Sequence, residues 1–452
     1  MEKTSDLDAV AGRDILFFDA RAEGHHSEYV QHLVQYAAGR PELGELHFVY
    51  PESLSQYSPA TVGAIRRESH CHLHELSPEE QKRIDEASLL WRSFVEWAVA
   101  MRYVRHVQAD HCVLLELNIF QFVLGLLSSQ SRVGVSGILF FPYPRIEADG
   151  QAASNRLLCW LKKLRKHLQL RWMLRNQSIE TVFLLNDDSS AKCLNQFWPE
   201  RRPFRMLPDP VPPLMQSGTE DQKEEQAESM ADTAKEKREE SSAVAVNSPN
   251  QRAVAGPASV PQGEKDRLVF LMFGALRAEK GVREVIEAFR YLPTAGAKGA
   301  TLCLFGQVRA DLEDEFPELI TSLRRAQPDL HIQVEDRFLP ESELHEALQD
   351  ADVVLAPYLQ SEGSSGVIGH AARYRTPVIG PNSGLVGALI EEYNLGETVE
   401  AADPSAIADV VRGCIERERL RAETTGMRTY VEERTPTRFA ETIFDAVREG
   451  GR

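Results

Sequence analysis

No two cysteines in this 452-residue sequence stand close enough to form a C-x-x-C pair; the six, at positions 71, 112, 159, 193, 303 and 414, are scattered. The arrangement lacks the common zinc-ribbon spacings, and it suits a reducing cytoplasm better than a disulfide framework. Positive charge is also in short supply. Lys and Arg number 51 against 68 Asp and Glu, a formal net charge of −17. Such a balance argues against a general nucleic-acid binder, whose surface must be basic to meet phosphate. Long apolar runs are missing as well. The most apolar stretch, 113–127, carries Glu116, Asn118 and Gln121 and is too short to span a bilayer. The polar opening Met1–Arg13 predicts no export signal. These absences predict a cytoplasmic chain, and its length gives two or three domains with substantial cores.

Residues 214–266 have almost no large apolar side chains and are rich in Glu, Lys, Gln, Ser, Ala and Pro. Such a segment cannot bury enough surface to offset its ordering entropy, which predicts a disordered insertion. It reads as a flexible linker; a regulatory or partner-binding role is the second reading.

On either side, apolar runs alternate with amphipathic stretches, the pattern of parallel sheets covered on both faces. Strands are predicted at Ile15–Phe18, Cys112–Leu117, Val135–Phe141 and Thr181–Leu185, with a helix over Ser27–Tyr36. Ser77-Pro78-Glu79-Glu80 is a strong helix start, and the helical pattern continues to about Val107. Beyond the insertion, strands are expected at Leu268–Phe273, Thr301–Phe305, Ile332–Val334, Val353–Ala356 and Pro377–Ile379. The predicted architecture is α/β: two doubly wound, Rossmann-like domains over 1–213 and 267–433, with 434–452 a final helix returning to the first domain.

Two loops concentrate the chemistry. After the strand at 353–356 comes Ser361-Glu-Gly-Ser-Ser-Gly-Val-Ile-Gly-His370, a small-residue loop feeding a helix. The N–H groups around Ser364, Ser365, Gly366 and Val367, together with the positive helix end, favour a phosphate. Glu362 adds a carboxylate able to accept from ligand hydroxyls. The second loop, Gly274-Ala-Leu-Arg-Ala-Glu-Lys-Gly281, carries Arg277 and Lys280. Arginine neutralises a diphosphate with a planar fork and lysine does so as a point charge.

Together these segments resemble the donor site of GT-B glycosyltransferases, in particular the retaining family that includes glycogen synthase and phosphatidylinositol mannosyltransferase. Its signature has two glutamates separated by seven residues, then Ala, then a Pro-Val-Ile/Val strand. Glu362, Ala371 and Pro377-Val378-Ile379 fall in register, and His370 replaces the second glutamate. Lys280-Gly281 match the family's Lys-Gly in spacing from Gly274, while Arg277 stands two residues past the usual arginine position. The resemblance covers Arg267 to about Gly396 and is topological over 14–210. It implies the GT-B fold, a nucleoside-diphosphate sugar donor, a glycan, lipid-linked or small-molecule acceptor, retention of configuration, and no metal or other cofactor. Glu362 then holds sugar hydroxyls and His370 the ribose or a phosphate, a neutral imidazole offering one donor and one acceptor. Phe338 and Leu339 present backbone to the base. Gly24, His25 and His26, at the first strand-to-helix turn, line the acceptor side, where a histidine would orient or deprotonate a hydroxyl. Capping or core roles for the two histidines are the alternative.

Three further features read more plainly. Asp350-x-Asp352 looks like a metal pair but directly precedes a strand, so a strand-entry role is expected. His70, His72 and His74 would share one face of a strand, without the second ligand pair that zinc sites use. Residues 160–175 interleave Lys and Arg with Leu and Trp. They read first as a helix packing an apolar face on the sheet, and second as a peripheral contact with an anionic membrane or a lipid-linked acceptor. The function expected is metal-independent glycosyl transfer. A catalytically silent GT-B-like subunit binding glycan or a partner is the alternative, and a sugar-nucleotide epimerase of related fold the third reading.

Overall fold

The computed structural model describes residues 12–126, 133–145, 153–213, 267–416 and 424–450. The segment expected to be a disordered insertion, 214–266, lies outside the described residues.

Seven strands form the first sheet: β1 (Ile15–Phe18), β2 (Leu46–Pro51), β3 (Cys71–Leu76), β4 (His111–Leu114), β5 (Gly134–Leu139), β6 (Ile179–Leu185) and β7 (Phe204–Leu207). Their order is β3-β2-β1-β4-β5-β6-β7, parallel throughout. The second sheet has β8 (Leu268–Phe273), β9 (Ala300–Phe305), β10 (His331–Glu335), β11 (Val353–Leu355), β12 (Val378–Pro381) and β13 (Gly396–Val399). Its parallel order is β10-β9-β8-β11-β12-β13. In both sheets the order reverses beside the first strand. Such a reversal opens a crevice at the carboxyl ends of the strands, where doubly wound folds bind ligands. The central strands are largely apolar because helices cover both faces; β1, β4 and β11 are buried at every position, whereas the edge strands β3 and β10 carry polar, partly exposed residues.

The helical stretch expected to run unbroken from Pro78 to about Val107 is two helices, Pro78–Asp85 and Leu89–Val107. Ser88 takes an extended conformation, ψ 154°, and restarts the chain as a second cap. Asp352 does serve at a strand entry: its carboxylate accepts from the Val269 N–H at 2.9 Å.

The helix Pro436–Gly450 crosses to the first sheet. There Phe439, Ile443, Phe444 and Val447 are fully buried among Phe17, Tyr29, Leu33 and Phe48, with Phe444 edge-on to Phe17 at 5.8 Å. In the other direction Val211 joins the core of the second sheet beside Ile368 and Tyr430. Each half therefore lends the other a piece of its core.

Candidate active site

At the carboxyl end of β8 the chain turns through Gly274, whose φ of +94° suits glycine. The following loop closes at Gly281, φ +77°, where a Cβ would collide with the carbonyl of Pro357. That close approach seats the loop on the segment leaving β11. The N–H of Leu359 reinforces it, donating to the carbonyl of Glu279 at 2.9 Å. The two loops singled out by the sequence are thus brought side by side.

Tyr358, which sequence reasoning missed, joins them chemically. Lys280 Nζ lies 4.5 Å from the Tyr358 ring centroid and 3.5 Å from its hydroxyl. The Ser365 hydroxyl donates to the same oxygen at 3.2 Å. Ser365 caps the helix Gly366–Arg373 without its side chain engaging the helix N–H groups, which leaves the cradle to a ligand. Val367 is buried in the core of the second sheet. Arg277 is half-exposed and pairs with Glu279 at 3.3 Å. His370 sits edge-on to Phe273 at 5.9 Å, and burial lowers its pKa to about 4. It is neutral at physiological pH. Leu339 is buried in the same core, whereas Phe338 is 80% exposed, its ring turned to solvent.

The first domain reaches directly into the Ser/Gly loop. Asn186 Nδ2 donates to the Ser364 hydroxyl at 2.9 Å, and Ser364 donates on to Asp209 Oδ2 at 2.7 Å. Tyr29 donates to the other Asp209 oxygen at 2.9 Å. Phe141, on the connection after β5, approaches Gly363 closely enough that a Cβ there would press on its ring. Behind this contact stands Arg434, which donates to Asn186 Oδ1 at 2.9 Å and lies against the rings of Tyr430 and Tyr393 at 3.9 and 4.6 Å. Asn186, Asp209, Tyr430 and Arg434 carried no motif. The nearest signal is the Asn186-Asp187 pair after β6, where Asn186 takes a left-handed φ of 56°.

Gly24 begins the first helix at φ +60°, placing His25 and His26 in its first turn. The two histidines separate in role. His26 is buried, with Nδ1 2.6 Å from Asp19 Oδ2. Desolvation would lower its pKa, but the hydrogen bond and charge of Asp19 outweigh it and the net shift is upward. His25 lies over His26 at 4.2 Å and beside Phe140 and Tyr29. Desolvation, then His26 and Arg21, lower it to about 3, so it remains a neutral imidazole on the outer side of the pair. One turn on, Glu28 is pushed up to about 7 by desolvation, Asp209 and Glu341. Glu28 thus stands between Asp209 of the first domain and Glu341 of the second, whose charges both act on it.

A pH prediction follows from Glu28. Its folded pKa of about 7 exceeds the unfolded value near 4.5, so its contribution to stability is complete below about pH 4.5 and is lost as pH rises through about 7. Glu28→Gln is expected to flatten stability against pH between those limits. Urea titrations at pH 5 and pH 8 check it, and an unchanged slope would refute the shift.

The histidine cluster differs from expectation. His70 lies before β3 and bonds to the Ala37 carbonyl at 3.2 Å, because the strand starts only at Cys71. His72 and His74 gather instead with His47 of β2, rings 4.9 and 5.3 Å apart. They line a cavity of about 590 Å³ with Arg66 and Cys71. Among the described residues no group of three His, Cys, Asp or Glu has the arrangement of a metal site.

The architecture is that of the GT-B glycosyltransferases, as the solved structures it resembles make plain. Anabaena Alr3699/HepE, crystallised with UDP and glucose, superposes with a TM-score of 0.60 at 13% identity, over 97% of this chain and 100% of that one. Sucrose-phosphate synthase from Thermosynechococcus elongatus gives 0.60 at 13%, covering 97% and 98%. WaaG, a glycosyltransferase involved in lipopolysaccharide biosynthesis, gives 0.56 at 14%, covering 95% and 98%. No curated protein matches the chain. Residues 267–417 match the family model described as "Glycosyl transferases group 1". Residues 267–417 are thus a domain of glycosyltransferase type.

Proposed function

We propose that the protein transfers a glycosyl group from a nucleoside-diphosphate sugar to an acceptor hydroxyl. The observation that carries this is the junction of the two loops at Lys280, Tyr358 and Ser365, at the crevice between β8 and β11. It sets a cation beside an open helix N-terminus, the arrangement a departing diphosphate needs. Arg277, Lys280 and the N–H groups from Ser364 to Val367 neutralise that leaving group electrostatically, without calling on a metal. Gly274 gives the phosphates close access to backbone. Glu362 accepts from the sugar hydroxyls and His370, held neutral, meets the ribose. Phe338 and Leu339 offer backbone to the base. On the facing wall Gly24, His25 and His26 receive the acceptor, a glycan, lipid-linked or small hydroxylic molecule. There neutral His25 orients the attacking hydroxyl and His26, held by Asp19, is its structural support. Retention of configuration rests on the family resemblance alone.

The UDP and glucose bound to HepE make uridine the first base to test. UDP is expected to raise the melting temperature, since a ligand present at 100 Kd stabilises the native state by about 2.7 kcal/mol. GDP, ADP, TDP and CMP serve as comparisons, and Arg277→Ala should abolish the shift. No response to any nucleotide would discard the donor site. It would favour the second reading, a silent GT-B-like subunit binding glycan or a partner, to which the engagement of Arg277 by Glu279 lends weight.

A further inference from the structure

Between Ala153 and Arg175 the sequence holds seven Lys and Arg and no Asp or Glu, within a chain of net charge −17. Residues 153–173 form one long helix. At the helical period Leu157, Trp160, Leu161, Leu164 and Leu168 fall on a single stripe. The expected packing of an apolar face on the sheet holds only for the other side, where Leu170, Met173 and Leu174 enter the core. The stripe itself points outward. Leu157 is 58% exposed, Trp160 56%, Leu161 45% and Leu168 54%. The apolar surface continues onto the neighbouring helix Gln121–Leu126, whose Phe122 and Leu126 are also exposed. Trp172 ties the two helices, donating to the Phe122 carbonyl at 3.2 Å. Ring contacts from Phe122 through Phe94 extend the surface to exposed Trp91.

An apolar face of this extent marks an interaction site, because leaving it in water forfeits burial of several large side chains. We propose that it docks the protein on an anionic lipid bilayer, the Leu and Trp stripe entering the boundary between headgroups and acyl chains. Charge decides for this occupant. Exposed Lys162, Arg165 and Arg171 accompany the stripe with no carboxylate on the helix to oppose lipid phosphate, and interfacial helices combine those cations with Trp and Leu. On its side away from the stripe the helix turns toward the donor loop. Lys166 on the same helix feels the charge of Glu362, and Phe141 abuts Gly363. On the transferase reading proposed above, the cleft then opens beside the lipid surface and the acceptor is a membrane-borne, lipid-linked hydroxyl.

The full chain is sedimented with vesicles of phosphatidylcholine alone and with about 30 mol % phosphatidylglycerol. The wild type should sediment with the anionic vesicles only and be released by salt. Leu161→Glu with Leu168→Glu, and separately Lys162→Glu with Arg165→Glu, should each lower the bound fraction by about tenfold. Melting temperature and nucleotide response should stay those of the wild type. Failure to sediment with either vesicle, or equal sedimentation of the variants, overturns the proposal. So does a dimer, seen by light scattering, that the double leucine variant dissolves, because the face would then belong to a second copy. Vesicle binding that persists without any nucleotide response would sink the donor site and leave the docking face standing.

Discussion

Lys280→Ala is expected to lower turnover by roughly 10²–10³-fold at saturating donor, the usual loss when a preorganised charge is removed from a developing anion. The change should leave the fold intact. Lys280 contributes to it chiefly through the Tyr358 ring, a contact worth about 0.5–1 kcal/mol at an exposed site. The loop itself is held by backbone: Leu276 N–H donates to the Gln307 carbonyl at 2.9 Å, and Gly281 abuts Pro357. Steady-state rates of sugar transfer, read beside a thermal melt, separate the two effects. If turnover were lost only together with melting temperature, Lys280 would be a packing residue. If turnover were unchanged, the leaving-group assignment would fall.

Arg434→Ala carries the second large effect, a loss of about 3–5 kcal/mol, from a cavity and broken hydrogen bonds together. The guanidinium is buried, donates to Asn186 and to the Tyr393 hydroxyl, and lies against two tyrosine rings. Its own carbonyl accepts from Val211 N–H at 2.7 Å, so the residue stitches the halves by backbone as well as side chain. Native proteins keep only about 5–15 kcal/mol in total, which makes this loss a large fraction. Lysine should not restore it, because a point charge lacks the planar fork that meets Asn186 and Tyr393 together. Guanidinium titration of both variants checks this, and an Arg434→Lys protein as stable as the wild type would contradict the geometry.

Much of the fold was legible in the sequence. Buried strands such as Leu268–Phe273 are apolar throughout, and the donor loops are short contiguous segments. What escaped was whatever depends on distant partners. The Lys280–Tyr358 contact joins residues 78 apart, and Arg434–Asn186 spans 248. Polar pairs of that kind leave no periodicity. His47 joined the histidine cluster only because β2 and β3 lie side by side in the sheet. The second helix start at Ser88 was hidden inside a continuous helical pattern. The stripe on Ala153–Met173 shows how periodicity fixes a face without fixing its direction: the spacing groups Leu161 with Leu168, but only the packing of Leu170 and Met173 decides which side meets solvent.

The helix Pro436–Gly450 has a consequence for how the protein is made. Phe439, Ile443, Phe444 and Val447 close a core whose other walls, β1, β2 and the first helix, are translated at the start. At 5–20 residues per second, roughly 230 further residues separate β7 from that closing helix, a delay of about 11–46 s. Throughout it one apolar face of the nascent first sheet is covered only in part, so the half of the molecule begun first is finished last.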